Sequence, residues 1–229
     1  MKNKKLDFIL LAICIMWAAI VMPRLFTGRW SPQAEQMIVW GGGVLRTAFL
    51  AVAAIATIRG LRALDVDNPA RSSQALLAGG FSAYFIAQVT LFGLQIATNN
   101  NAPYPSVADL GFYVAMLLLI AGVGLSIRSW LALGIFPEGG RRAATAAAFA
   151  AVPLAVGVIW TTRTLATAAV PPLQKAADIA YPVLDSILLI LIVAMFRLTA
   201  SLGRGRVGVV WRSLLAGFLA MAIGDVVYS

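Results

Sequence analysis

Four carboxylates lie in the outer halves, or at the outer edges, of otherwise apolar runs: Asp109, Asp178, Asp185 and Asp225. Arg46 lies in another such run, and Gln88 and Gln95 place amide groups in a third. An ionisable side chain at the centre of a membrane helix costs about 2.5–3.5 kcal/mol, so it needs either a partner or a function. Carboxylate, guanidinium and amide groups can bind a polar ligand, pass a proton or bind one another. Arg46, Gln88, Asp109, Asp185 and Asp225 are therefore the candidate ligand or ion-pair residues. Asp109 and Asp178 open their runs, where a carboxylate can instead cap the orphan N–H groups of a helix start. Asp185 and Asp225 lie too deep to cap, and their competing role is an ion pair or interhelical hydrogen bond with Arg46.

The residue types that are missing narrow the chemistry further. The chain has no histidine and one cysteine, Cys14. That removes His-ligated haem and zinc, Ser-His and Cys-His nucleophiles, disulfides within the chain and Fe–S clusters. No nucleotide-binding or catalytic motif is present. The expectation is a non-catalytic protein with no metal and no cofactor.

Of 229 residues, 61% are hydrophobic and 12% charged, against about 45–50% and about 25% in soluble domains. Such a chain has too few charges to solvate a surface, and reads as an all-α, polytopic membrane helix bundle. A crossing helix needs about 20 apolar residues. Seven runs qualify, at residues 6–26, 37–59, 75–97, 109–128, 143–163, 179–199 and 209–228, which makes residues 1–229 one transmembrane domain. The net charge of +9 comes from basic residues that flank these runs, which fits topology rather than nucleic acid. With the N-terminus inside, thirteen Lys and Arg fall in inner segments and four (Arg24, Arg29, Arg163 and Lys175) in outer ones. The positive-inside rule then predicts N-in, C-out, in a bacterial cytoplasmic membrane. The partners expected are lipid and other membrane chains.

The spans also repeat. Ala108-Asp109-Leu110 to Arg128 and Ala177-Asp178-Ile179 to Arg197 share an offset of 69 at both ends. Leu76-Leu77-Ala78-Gly79-Gly80-Phe81 parallels Leu214-Leu215-Ala216-Gly217-Phe218, which sets Gln88 opposite Asp225. A two-helix hairpin repeating over residues 71–229 is the expected unit. The seventh span is then the first half of a hairpin. Either the protein ends at its outer surface or an eighth span follows Ser229.

Seven spans invite comparison with retinal proteins, but the seventh has no lysine for a Schiff base. Pro103-Tyr104-Pro105-Ser106-Val107-Ala108-Asp109-Leu110-Gly111-Phe112-Tyr113 resembles the PS-x-AD-x-x-(F)Y signature in the multi-span N-terminal regions of bacterial membrane diguanylate cyclases with GGDEF or GGDEF plus EAL domains. Ala180-Tyr181-Pro182-Val183-Leu184-Asp185 is similar to their AYP-x-x-D element. Trp211-Arg212-Ser213-Leu214-Leu215 through Asp225-Val226-Val227-Tyr228 is similar to their W-R-x-L-L…D-x-x-Y helix. The resemblance covers residues 71–229 and implies a sensory or scaffold region in which Asp109, Asp185 and Asp225 are recurring carboxylates. No GGDEF domain is present in these residues, and no cyclic-dinucleotide activity is expected of them.

Three functional classes follow. One is a signal-input module of a membrane signalling protein. Another is an accessory structural subunit of a larger energy-transducing complex, and the third a small-solute transporter built on Arg46 and Asp185. The topology carries its own test: Asn100→Cys should react with a membrane-impermeant thiol reagent on intact cells. Labelling only after lysis would reverse the orientation.

Overall fold

The computed structural model describes residues 32–99, 102–132, 139–167 and 169–199, and every regular element among them is helical. The helices are α1 (Pro32–Arg62), α2 (Arg71–Ala97), α3 (Val107–Ala132), α4 (Gly139–Thr167) and α5 (Pro172–Thr199). Each contains a stretch long and apolar enough to cross a membrane. They match the second to sixth expected spans, whereas the first and seventh, with Asp225, lie outside the described residues. The chain divides into residues 1–45 and residues 46–229, and the packing below belongs to the second unit.

Helices outrun the apolar runs because hydropathy marks only the part that meets lipid. The largest difference at any one end is the start of α5, which lies at Pro172 rather than near residue 179. Proline suits the first helical position, where its fixed φ is already helical and its missing N–H would have no partner. The Lys175 N–H then closes the first turn on the Pro171 carbonyl at 3.0 Å.

The joint between α1 and α2 is tied by polar side chains. Arg71 donates from Nη1 to the Leu64 carbonyl at 2.5 Å, and the Asn68 carboxamide accepts the Ala70 N–H at 2.9 Å. One turn further on, Gln74 Nε2 reaches back to the Thr57 carbonyl of α1 at 3.1 Å. Within the spans, Ser82, Ser126 and Thr199 return their hydroxyls to carbonyls four residues earlier at 2.7–2.9 Å. Such internal bonding satisfies a hydroxyl where no water is at hand.

Packing runs through consecutive helix pairs: α2 against α3 and α4 against α5, with α3 also packed on α5. Small residues set the first pair's separation. A Cβ on Gly80 would stand 2.8 Å from Leu119, and one on Gly111 would stand 2.9 Å from the Ala87 Cβ. These contacts run in opposite order along the two helices, so α2 and α3 are antiparallel. By contrast, α3 and α5 are parallel: their N-terminal ends share one set of contacts and their C-terminal halves another. The latter is the main core, Met116, Leu119 and Val123 against Leu188, Ile192, Met195 and Leu198, all nearly inaccessible.

Helices α1 and α4 contribute little to this core. Only 6% of the apolar window of α1 is buried, and none of that of α4. Phe149, Val152, Val156 and Ile159 on α4 stay exposed, as do Ile86, Val89 and Ile96 on α2. Large apolar side chains in such number facing outward are compatible with contact with a lipid bilayer.

The close approach at Gly111 can be tested against an open glycine. Gly111→Ala pushes a methyl into the Ala87 Cβ, which is fixed to its backbone, and should destabilise the protein by about 1–3 kcal/mol. Gly93→Ala meets nothing within 4 Å and should be neutral or stabilising. Detergent-solubilised thermal unfolding of both variants measures the difference, and equal melting would refute the close packing of α2 on α3.

Candidate functional site

Parallel packing of α3 and α5 brings their N-terminal ends side by side, and the polar residues of both gather there. Ser106 precedes the first residue of α3 and Asp109 is the third. The Asp109 carboxylate folds back to accept the Ser106 N–H at 2.5 Å and the Ser106 hydroxyl at 2.9 Å through Oδ2. This is the acidic half of a capping box, in which a carboxylate in the first turn satisfies a donor at the helix entrance. The cap expected of Asp109 is present in this form.

Asp109 does more than cap. It is only 8% exposed, and its other oxygen, Oδ1, accepts the Tyr181 hydroxyl of α5 at 2.5 Å. One carboxylate thus takes three donors, two from its own turn and one from a helix 72 residues further along the chain. A charge-assisted hydrogen bond of this kind is roughly twice as strong as one between neutral groups.

Asp178 plays a different part from the one expected of it. Because α5 starts at Pro172, Asp178 lies in its second turn, and the first turn contains no acid. Its carboxylate is taken up by the loop before α3 instead: Tyr104 donates its hydroxyl to Asp178 Oδ1 at 2.6 Å. Tyr104 precedes Pro105 through a cis peptide bond. Burial of the ring, together with the neighbouring carboxylate, pushes the Tyr104 phenol well above the ordinary tyrosine range. Its proton therefore stays in place throughout the neutral range.

A third tyrosine fills the space between these two bonds. Tyr113 stacks on Tyr181 with ring centroids 4.8 Å apart and planes tilted by 32°. Its hydroxyl donates to the Ala177 carbonyl at 3.3 Å. Helical side chains lean toward the N-terminus, so the rings reach back toward the acids, Tyr113 from the second turn of α3 and Tyr181 from the third turn of α5. Below them Ala87, Ala108 and Phe112 form a small apolar cluster with Tyr84, whose ring meets Phe112 edge-on at 5.1 Å.

Gln88 belongs to the same layer, since it follows Ala87, the residue that meets Gly111. It is 2% exposed, and among the described residues its Oε1 has no hydrogen-bond partner. A buried acceptor left in this state costs about 1–3 kcal/mol. Asp185 is half-buried one turn below Tyr181 and is engaged in a polar interaction. Arg46 is exposed on α1, and among the described residues no ion pair joins it to Asp185. The five candidates therefore separate. Asp109 and Gln88 share a layer with Tyr181, Asp185 lies one turn beneath, Arg46 stands apart, and Asp225 lies outside the described residues.

Composition and spacing single out none of Tyr104, Tyr113 and Tyr181, which stand only within the motifs that carry the resemblance. The available signal was the phenol itself: a tyrosine beside an apolar run needs a partner for its hydroxyl. Tyr181 is also three residues from Asp178 and four from Asp185, which sets all three on one helix face.

Among the described residues no group of His, Cys, Asp or Glu side chains could hold a metal ion. The arrangement can hold helices in register and offer the Gln88 carbonyl to a donor. Neither family models nor curated proteins nor solved structures give a match to this chain.

The two Tyr–Asp bonds should differ in worth. A double-mutant cycle on Tyr181→Phe and Asp109→Asn should give a coupling of about 1–2 kcal/mol in unfolding. The cycle on Tyr104→Phe and Asp178→Asn should give less than about 0.5 kcal/mol, because Tyr104 is 45% exposed and water competes there. Equal couplings would refute the ranking.

Proposed function

We propose that this chain is a non-catalytic membrane module that receives a signal at the end carrying Asp109 and Asp178 and relays it along its helices. The setting is a bacterial cytoplasmic membrane, with seven spans, the N-terminus inside and the acidic end outside. The observation that carries the reading is the Ser106–Asp109–Tyr181 contact. It ties a surface loop to two helices that remain in contact through the core to their far ends. A ligand or partner that competes for the carboxylate, or donates to Gln88, would change how α3 and α5 meet, and packed helices transmit such a change.

The resemblance to the membrane regions of diguanylate cyclases supports the same reading. Two of its motifs, the turn-and-helix of residues 103–113 and the AYP-x-x-D of residues 180–185, supply Asp109 and Tyr181. A signalling domain on the inner side, in this chain or in a partner, would read the movement.

A second reading has its own observation. Helices α1 and α4 bury almost none of their apolar windows within the chain, which suits an accessory subunit packed against a larger membrane complex. Stoichiometric co-purification with such a complex would favour it.

Relay and scaffold differ in reach. Asp109→Asn should raise amide hydrogen exchange in the turns around residue 109 and also at residues 125–132 and 191–198, about 25–35 Å away along the helices. Exchange that changes only within the first two turns would make the cluster a local staple and would overturn the relay.

A further inference from the structure

The opposite end of α5 carries a feature that the proposed relay does not use. A cavity of about 750 Å³ opens between α4 and α5, lined by Arg141, Thr145, Phe149, Ala150, Val193 and Arg197 among others. On α4 the lining residues recur at helical spacing along one face, and Val193 and Arg197 share a face of α5. Arg141 lies in the first turn of α4 and Arg197 in the last turn of α5, so the antiparallel pair brings two guanidinium groups to one mouth.

The charge at that mouth is unbalanced. Among the described residues no carboxylate lines the cavity, and neither arginine has a carboxylate partner. The N-terminus of α4 adds the positive end of its dipole. Away from the mouth the chemistry changes. Val193 lies about 6 Å and Phe149 about 12 Å along their helices from the arginines, and Ala146 and Ala150 leave a shallow trough beside them. Phe149 is 77% exposed, and Val152 and Val156 continue the same open apolar surface into the span.

We propose that this groove binds an anionic phospholipid, with its phosphodiester between Arg141 and Arg197 and one acyl chain along Phe149, Ala150 and Val193. Charge complementarity selects the headgroup, and the apolar run selects a lipid over a free anion, which would use only the mouth. Basic pockets between membrane helices hold anionic headgroups on the same grounds. A zwitterionic lipid offers the same phosphate, but its ammonium would approach two guanidinium groups. The groove therefore favours phosphatidylglycerol or a lipid of like charge over phosphatidylcholine.

Native mass spectrometry of the full chain, released from micelles holding phosphatidylglycerol and phosphatidylcholine of identical acyl chains, tests the site. Phosphatidylglycerol should be retained about tenfold over phosphatidylcholine, and Arg141→Gln and Arg197→Gln should each weaken its retention about fivefold. Arg128→Gln removes an exposed arginine outside the groove and should leave retention unchanged. Arg197→Lys, which keeps the charge, should retain most of the binding and serves if a glutamine variant fails to fold. Equal retention of the two lipids, or equal loss in Arg128→Gln, would overturn the proposal. Displacement of the lipid by millimolar inorganic phosphate would also overturn it, in favour of a free-anion site.

Discussion

A carboxylate carried into a membrane helix has no water to complete its hydrogen bonding, so the protein must do so from its own donors. Asp109 is where this constraint is met most fully. Its two oxygens take the Ser106 N–H, the Ser106 hydroxyl and the Tyr181 hydroxyl. That requirement fixes the entrance of α3, draws α5 alongside it in parallel and sets the level at which Tyr113 and Tyr181 stack. The apolar core below, from Met116 to Leu198, then closes along two helices whose register is already determined at one end. Aliphatic side chains alone would hold the pair together without choosing a register so narrowly, because dispersion contacts are non-directional.

The two ends of the α3–α5 pair are chemically opposed. At one end acids are paired, capped and partly covered by tyrosines. At the other, Arg141 and Arg197 face an open groove that has no acid among its described lining residues. Among the described residues one polar end is thus satisfied by its own donors, and the other presents two arginines without a carboxylate partner. Gln88 is the exception at the satisfied end, as its buried carbonyl lacks a donor among the described residues. The cost of that omission marks the layer as the place where an added donor would be most welcome.

Much of the architecture was legible in the sequence because membrane insertion imposes a long apolar run for each helix. Five of the seven expected runs appear as helices, and the other two lie outside the described residues. The start of α5 was misplaced because Leu173-Gln174-Lys175 is helical without being apolar enough to register in hydropathy. Counted from residue 179, Asp178 stands at a cap position; counted from Pro172 it lies in the second turn, where it accepts the Tyr104 hydroxyl. Asp109 was legible as a capping residue from its position after Pro105-Ser106. Its second role was not, since that depends on a parallel contact between helices 72 residues apart. Of Gly79-Gly80, only Gly80 lies at a close approach; Gly79 has ordinary contacts, and Gly111 and Gly122 supply further tight points. Helical phase decides between neighbours of this kind, and composition carries no information about it.

The central claim is that the Tyr181–Asp109 bond sets how the N-terminal ends of α3 and α5 meet. Leu110 and Leu173 are 65% and 69% exposed on those two ends and accept spin labels without entering the core. Pulsed electron–electron double resonance between labels at the two positions should show one narrow distance distribution in the otherwise native chain. In Tyr181→Phe the distribution should broaden, with the fold retained. An unchanged width and mean distance in Tyr181→Phe would contradict the account.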